Sequence, residues 1–314
     1  MSDLLTVIVP VYNDEANILR CLDSLFNQTF KAMQVIVVND ASTDNTLSVL
    51  RDYQKKHNFQ IICMPENSGA GHCRNAGIQA AQAPYVTFVD SDDWVDMSVY
   101  TQCFSQSDGM PDVIIYGLIY DYILYDRRDI KYRYPQTYQT NGDFALSIYA
   151  HTIPNEINIT PIVNNKIYRK QFLLEKGVLF QEELRYQEDD VFTFEALSLA
   201  STVVFSSGGY YHYCQRSDSL IHVVSDTAIR SFVSAYSILE ARLKERGHFE
   251  KYKDAFYLKL KGSLIGVLIR ILDYELDILT RNRLVTLLLS LVIETFDTNE
   301  ILNKVDFLKI RRIL

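Results

Sequence analysis

Ahead of Asp90, four short runs rich in β-branched residues, TVIVPVY, QVIVVND, FQIICM and YVTFVD, alternate with segments of helical period. Consecutive parallel strands need a crossover long enough to hold a helix, and this alternation supplies one each time. The first crossover places Ile18, Leu19, Leu22, Leu25 and Phe26 on one face. The second follows the caps Ser42 and Asp44 and carries Leu47, Leu50 and Tyr53; the third is a small-residue helix from about Gly71 to Gln82. The pattern predicts an α/β fold: a mostly parallel sheet flanked by helices on both faces. In such sheets ligands bind beyond the carboxyl ends of the strands. PVYN, NDAS, PENSGAG and DSDDW fall at those four ends.

The chain has 314 residues, 48% hydrophobic and 22% charged, which is enough for about two units with an ordinary core. Its net charge of −8 argues against a nucleic-acid partner. Cysteines 21, 63, 73, 103 and 214 are odd in number and form no CxxC pair, so they read as reduced, buried thiols. With no signal-peptide pattern and no apolar run of membrane-spanning length, a cytoplasmic protein is expected.

Beyond Pro111, DVIIYGLIYDYILY opens a tyrosine-rich strand region, where packing is favoured over sugar stacking. A short helix near Lys166, the cluster QEDDVF, a helix from about Val191 to Ala200 and the strand TVVFSS follow. From Asp226 the pattern is helical. That tail has 15 Lys and Arg against 12 Asp and Glu, net +3, leaving −11 for the first 225 residues. The expected division is 1–225, with halves 1–107 and 108–225, and a helical region 226–314.

Asp90, Ser91, Asp92 and Asp93 end a buried strand, and carboxylates this close repel unless a cation or hydrogen bonds compensate. Mg²⁺ or Mn²⁺, which takes one or two carboxylates and fills its shell with water and phosphate oxygens, suits the spacing. Asp40 is placed to accept from the imino edge of a base, Asn67 and Gly69 to let backbone approach a nucleotide, and Arg74 to fork toward a diphosphate. Neither GxxxxGK[ST] nor a GxGxxG after the first strand is present, which argues against ATP hydrolysis and hydride transfer. Glu188, Asp189 and Asp190 form a second acidic cluster opening a helix. Crowding raises such a pKa and a helix N-terminus lowers it, so sequence leaves the sign open. One of these acids facing a substrate hydroxyl would be a general base. His212 reads as structural, and Arg216, just past a strand, as a cation able to reach a diphosphate.

VIVPVYNDEANILRCLDSLFNQTF, VIVVNDASTDNT, ENSGAGHCRNAGI, YVTFVDSDDW, NKIYRKQFL, YQEDDVFTF and YYHYCQRSDSL, in this order, resemble the bacterial family 2 glycosyltransferases of the GT-A fold over about residues 4 to 222. The resemblance implies an inverting, divalent-metal-dependent transferase using a UDP-sugar, with a hexosyl or N-acetylhexosaminyl group passing to a glycan, lipid-linked or protein-linked acceptor in surface polysaccharide or glycoconjugate synthesis. It implies that Pro10, Val11, Tyr12 and Asp40 hold uracil and ribose, and that Asn67, Gly69, Arg74 and Ser91 complete the nucleotide site. Asp90 and Asp92 would be the DxD pair, with Asp92 the direct metal ligand, and Asp189 the base with Glu188 in reserve. Many members have histidine where this chain has Arg216; arginine stays protonated and cannot ligate a metal, so a diphosphate contact is expected instead. A sugar-1-phosphate nucleotidyltransferase and an inactive nucleotide-sugar-binding subunit are the alternatives. GSLIGVLIRIL and RLVTLLLSLVIETF are apolar enough for core packing, for a homo-oligomer contact or for a membrane surface, and LKIRRIL suits anionic lipid at the inner face of the membrane.

Overall fold

The computed structural model describes residues 3–107, 109–122, 127–152, 158–215, 225–273 and 276–303. Arg216 and the LKIRRIL segment lie outside the described residues. The first half alternates β1 (Leu5–Val11), α1 (Ile18–Phe26), β2 (Met33–Asn39), α2 (Thr46–Gln54), β3 (Gln60–Cys63), α3 (Ala70–Ala80) and β4 (Tyr85–Phe88). Every residue of β1 is buried, as helices on both faces of a parallel strand require. α1 buries Ile18, Cys21, Leu22 and Leu25 beneath the sheet. Pro10 has no amide to give the ladder, and it falls where β4 has already ended its pairing with β1 at Ile8. The strand therefore stops short on that side and opens toward the cleft.

β5 (Trp94–Val95), α4 (Val99–Ser105), β6 (Val113–Tyr122), β7 (Arg127–Tyr132), β8 (Tyr138–Thr140), α5 (Gly142–Tyr149), β9 (Lys166–Arg169), α6 (Lys170–Lys176), α7 (Glu188–Leu199) and β10 (Val203–Gln215) complete the sheet and its flanks. The sheet order is β3-β2-β1-β4-β9-β6-β10-β5, with β7 on β6 and β8 on β10. The expected parallel pairing holds for β1 to β4 and for β6 with β10. β9 runs antiparallel to both β4 and β6, so the second half is mixed. The helix expected near Lys166 is corrected: Lys166 begins β9, and α6 starts at Lys170.

α8 (Asp226–Glu245), α9 (Phe249–Asp273), α10 (Ile278–Thr295) and α11 (Thr298–Asn303) follow. Their buried residues, among them Phe232, Tyr236, Leu260 and Leu288, join one apolar cluster with Ile8, Val38, Phe88 and Phe192 of the sheet and its helices. Among the described residues, no helix is long and apolar enough to cross a membrane.

Candidate active site

A cavity of about 740 Å³ lies beyond the carboxyl ends of β1, β2 and β4. Pro10, Val11 and Tyr12 line it from the end of β1, Asp40 from β2, Asn67 and Gly69 from the loop before α3, and Arg74 from α3 itself. Asp90, Ser91 and Asp92 enter after β4, and Glu188 and Asp189 from the start of α7. Every expected site residue except Arg216, which is not described, therefore faces one cleft.

Local backbone explains much of this convergence. Gly69 has φ +95°, a conformation that favours glycine, and it starts α3. A Cβ on Gly77 would sit 2.3 Å from Ile8 Cγ2, so glycine alone allows α3 to lie directly on β1 and aim Arg74 into the cleft. Gln187 is held left-handed, at φ +66°, immediately before Glu188. Such strain in a non-glycine residue is typical of functional turns.

Arg74 is 3% exposed and is the hub. Its Nη1 donates to Asp189 Oδ1 (2.8 Å) and Glu188 Oε1 (3.1 Å), and its Nη2 to Asp90 Oδ1 (2.9 Å). The guanidinium, expected to fork toward a diphosphate, is turned onto three carboxylates. One cation cannot neutralise three anions, and burial penalises what remains. Burial and the charge of Asp189 hold Glu188 above the usual carboxylate range, with Arg74 opposing. Burial likewise raises Asp189. The sign that sequence left open is therefore upward for both.

The two acidic clusters divide their labour. Asp90 accepts at both oxygens, Oδ1 from Arg74 and Oδ2 from Asn164 Nδ2 at 2.7 Å, which anchors it at the cleft. Asp92 is half-buried and lines the cavity, while its backbone carbonyl accepts from Arg20 Nη2 (2.5 Å). Asp93 is turned into the core, where Tyr211 Oη (2.5 Å) and the Cys214 amide (2.7 Å) donate to it. In the second cluster Glu188 and Asp189 face Arg74, whereas Asp190 is buried and accepts from Tyr149 Oη, Tyr236 Oη (2.6 Å) and Lys259 Nζ (3.1 Å). Asp190 thereby fastens α8 and α9 to the first turn of α7.

Asp40 is buried, and its oxygens accept from the amides of Ser68 and Gly69, both at 2.8 Å. It shapes the loop that carries Asn67, which Arg185 clasps from across the cleft through Nη1 to Asn67 Oδ1 (2.7 Å). His212 stacks on Trp94, with centroids 3.4 Å apart, between Asp96 and Asp121, in keeping with its structural reading. Of the tyrosines, Tyr116 and Tyr134 are buried core residues.

Sequence reading missed Asp14, which accepts from Ser91 Oγ at 2.6 Å, and Asn164, Lys166, Arg185 and Tyr211. The Asn-Asn-Lys triplet at 164–166 was the available signal. Also missed were Ile229, Phe232, Val267 and Arg270 of α8 and α9, which wall one side of the cavity.

Among the described residues, no three His, Cys, Asp or Glu side chains form a metal-binding group. Asp92 offers a hard carboxylate on the cavity, so the residues present suit only a hard cation that takes most of its oxygens from a bound diphosphate and water.

The arrangement is that of a GT-A glycosyltransferase fold: a cleft at the ends of parallel strands, with Asp92 on one side and an acid-led helix on the other. The family model of glycosyl transferase family 2 matches residues 6–169, and the chain belongs to that family. The putative glycosyltransferase EpsH of Bacillus subtilis is 29% identical over 79% of this chain and 71% of its own length. The poly(ribitol-phosphate) beta-N-acetylglucosaminyltransferase TarS of Staphylococcus aureus is 32% identical over 67% of this chain, which spans 35% of that protein. The crystal structure of S. aureus TarS 1-349 with UDP-GlcNAc matches 96% of this chain and 76% of its own, at TM-score 0.64 and 24% identity. A mannosyltransferase from Pyrobaculum calidifontis, in complex with GDP-Man and Mn²⁺, matches 93% of this chain and 81% of its own at TM-score 0.56 and 16% identity. These two likenesses define the fold.

Proposed function

We propose that this family 2 glycosyltransferase moves a hexosyl or N-acetylhexosaminyl group from a UDP-sugar to a hydroxyl of a cell-surface glycan or a lipid- or protein-linked acceptor, with inversion. The observation that carries the reading is that Asp92 and Asp189, from opposite halves of the catalytic chain, line one cavity. The donor class is supported by the UDP and UDP-GlcNAc complexes of TarS. A polymer hydroxyl as acceptor is supported by relatives named for transfer to poly(ribitol-phosphate).

Tyr12 and the Asp40-shaped loop would take the base and ribose, and Asp92 would hold Mn²⁺ or Mg²⁺ at the diphosphate. A cation there supplies charge neutralisation for the leaving nucleoside diphosphate. Asp189 takes the acceptor proton as that oxygen attacks the anomeric carbon from the face opposite the nucleotide; the C–O bond to the diphosphate breaks, and its electrons leave with UDP. A single displacement of this kind inverts the centre. The raised pKa suits the base, because a carboxylate tuned toward neutrality binds the transferred proton more firmly. Arg74 holds Asp189 and Asp90 in place.

Incubation with a panel of UDP-, GDP- and TDP-sugars and Mn²⁺ tests the reading. Release of UDP, abolished by Asp92→Asn, is expected. Pyrophosphate release would instead identify a nucleotidyltransferase, and donor binding without turnover an inactive binding subunit.

A further inference from the structure

Lys166 is fully buried at the start of β9. Its Nζ donates to the carbonyls of Thr160 (2.9 Å) and Ile162 (2.6 Å) and to Asn165 Oδ1 (3.0 Å). A lysine ammonium has three donors, and all three are spent on one turn. That turn has outputs at both acidic ends of the cleft. Asn164 Nδ2 donates to Asp90 Oδ2, and the Val163 backbone lies beside Asp189. Arg74 joins Asp90 to Asp189 from the other side, so the turn is tied to Asp189 through Asn164, Asp90 and Arg74. Pro161 and Ile162 of the turn line the cavity.

We propose that Lys166 is a positioning residue for transfer, its ammonium holding the 160–165 turn in the shape that sets Asn164 on Asp90 and, through the Arg74 that Asp90 shares with Asp189, the base. This rests on the reading of Asp189 as the base. Burial presses the lysine down to about 7, but Nζ is met by acceptors alone, so the charged form is the one that fits. The charges felt at Lys166 are Asp189 of α7, which favours the ammonium, and Lys259 of α9, which opposes it. Asp189 in turn faces Arg74 of α3, Asp90 beyond β4 and its neighbour Glu188. A cation at 166 therefore also favours the ionised base.

The test is Lys166→Met, which keeps the apolar stem and loses the donors and the charge. At saturating acceptor, kcat is expected to fall about tenfold or more with donor KM changed less than about threefold, and the acid limb of the kcat profile to move to higher pH. A structural lysine would lower stability and leave the limb in place; an unmoved limb with kcat within about twofold of wild type overturns the proposal. Should Lys166→Met fail to fold, Asn164→Ala reads the same turn: lowered kcat with retained donor binding supports the proposal, and full kcat overturns it. Where both variants fold, the double variant is expected to lose little beyond the worse single one, because both act through one segment; multiplicative losses count against it. If the wild-type chain releases UDP from no donor, the functional reading itself fails; if it turns over and these variants match it, only the role of Lys166 does.

Discussion

Arg74 and Asp189 form the hydrogen bond, 2.8 Å from Nη1 to Oδ1, that joins the α3 side of the cleft to the helix carrying the proposed base. The same guanidinium reaches Asp90 through Nη2, so removing it leaves buried carboxylates without their cation. Arg74→Met is expected to destabilise the fold by about 3–5 kcal/mol near neutral pH. Chemical denaturation across pH checks this. The loss should shrink toward acid pH, where the acids become neutral, whereas a loss independent of pH would mean that the contact is packing and not charge.

Wild-type stability and activity should run in opposite directions with pH. Glu188 and Asp189 have folded-state values above those of the unfolded chain, so they favour folding most below about pH 4 and that contribution fades as pH rises through the raised values. Buried Asp93 acts in the same sense. Lys166 titrates in the opposite sense, between about 7 and the ordinary lysine range, and leaves the acid window alone. Transfer needs ionised Asp189 and should climb through the window in which stability declines. Parallel denaturation and kcat/KM profiles test this; a stability that rises with pH between 5 and 7 would contradict it.

Much of the fold was legible. The alternation of strand runs and helical segments gave β1 to β4 in order, and loop residues at the strand ends marked the cleft. What local pattern could not supply was the insertion of antiparallel β9 between β4 and β6, because pairing partners far apart in sequence decide it. Nor could spacing alone divide DSDD and QEDD. Asp93 and Asp190 turn inward because Tyr211, Tyr149 and Tyr236 wait there, contributed by distant elements. The direction of Arg74 had the same cause, since the acids it binds come from two segments about a hundred residues apart.

Gly77→Ala is expected to be poorly tolerated although alanine favours helices. The added carbon would meet the β-branched Ile8 on β1 and lift α3, costing about 1–3 kcal/mol and shifting Arg74 away from its acids. Thermal melts and UDP release measure both effects. An alanine variant as stable and as active as wild type would show that the helix has room to move.

The C-terminal helices should be needed for a well-set base. Tyr236→Phe removes a donor from buried Asp190 and should cost about 1–3 kcal/mol. Removal of Lys259, the nearby cation, should cost more. Denaturant midpoints rank the two variants; an unchanged midpoint in both would mean that Asp190 does not hold α8 and α9 in place.

Asp189→Asn separates holding the donor from transferring its sugar. Isothermal titration with the UDP-sugar that the wild type turns over, paired with single-turnover transfer, should give a Kd within about threefold of wild type and a transfer rate lowered by about 10² to 10⁴. Transfer at the wild-type rate would remove Asp189 as the base and, with it, the mechanism derived from this cleft.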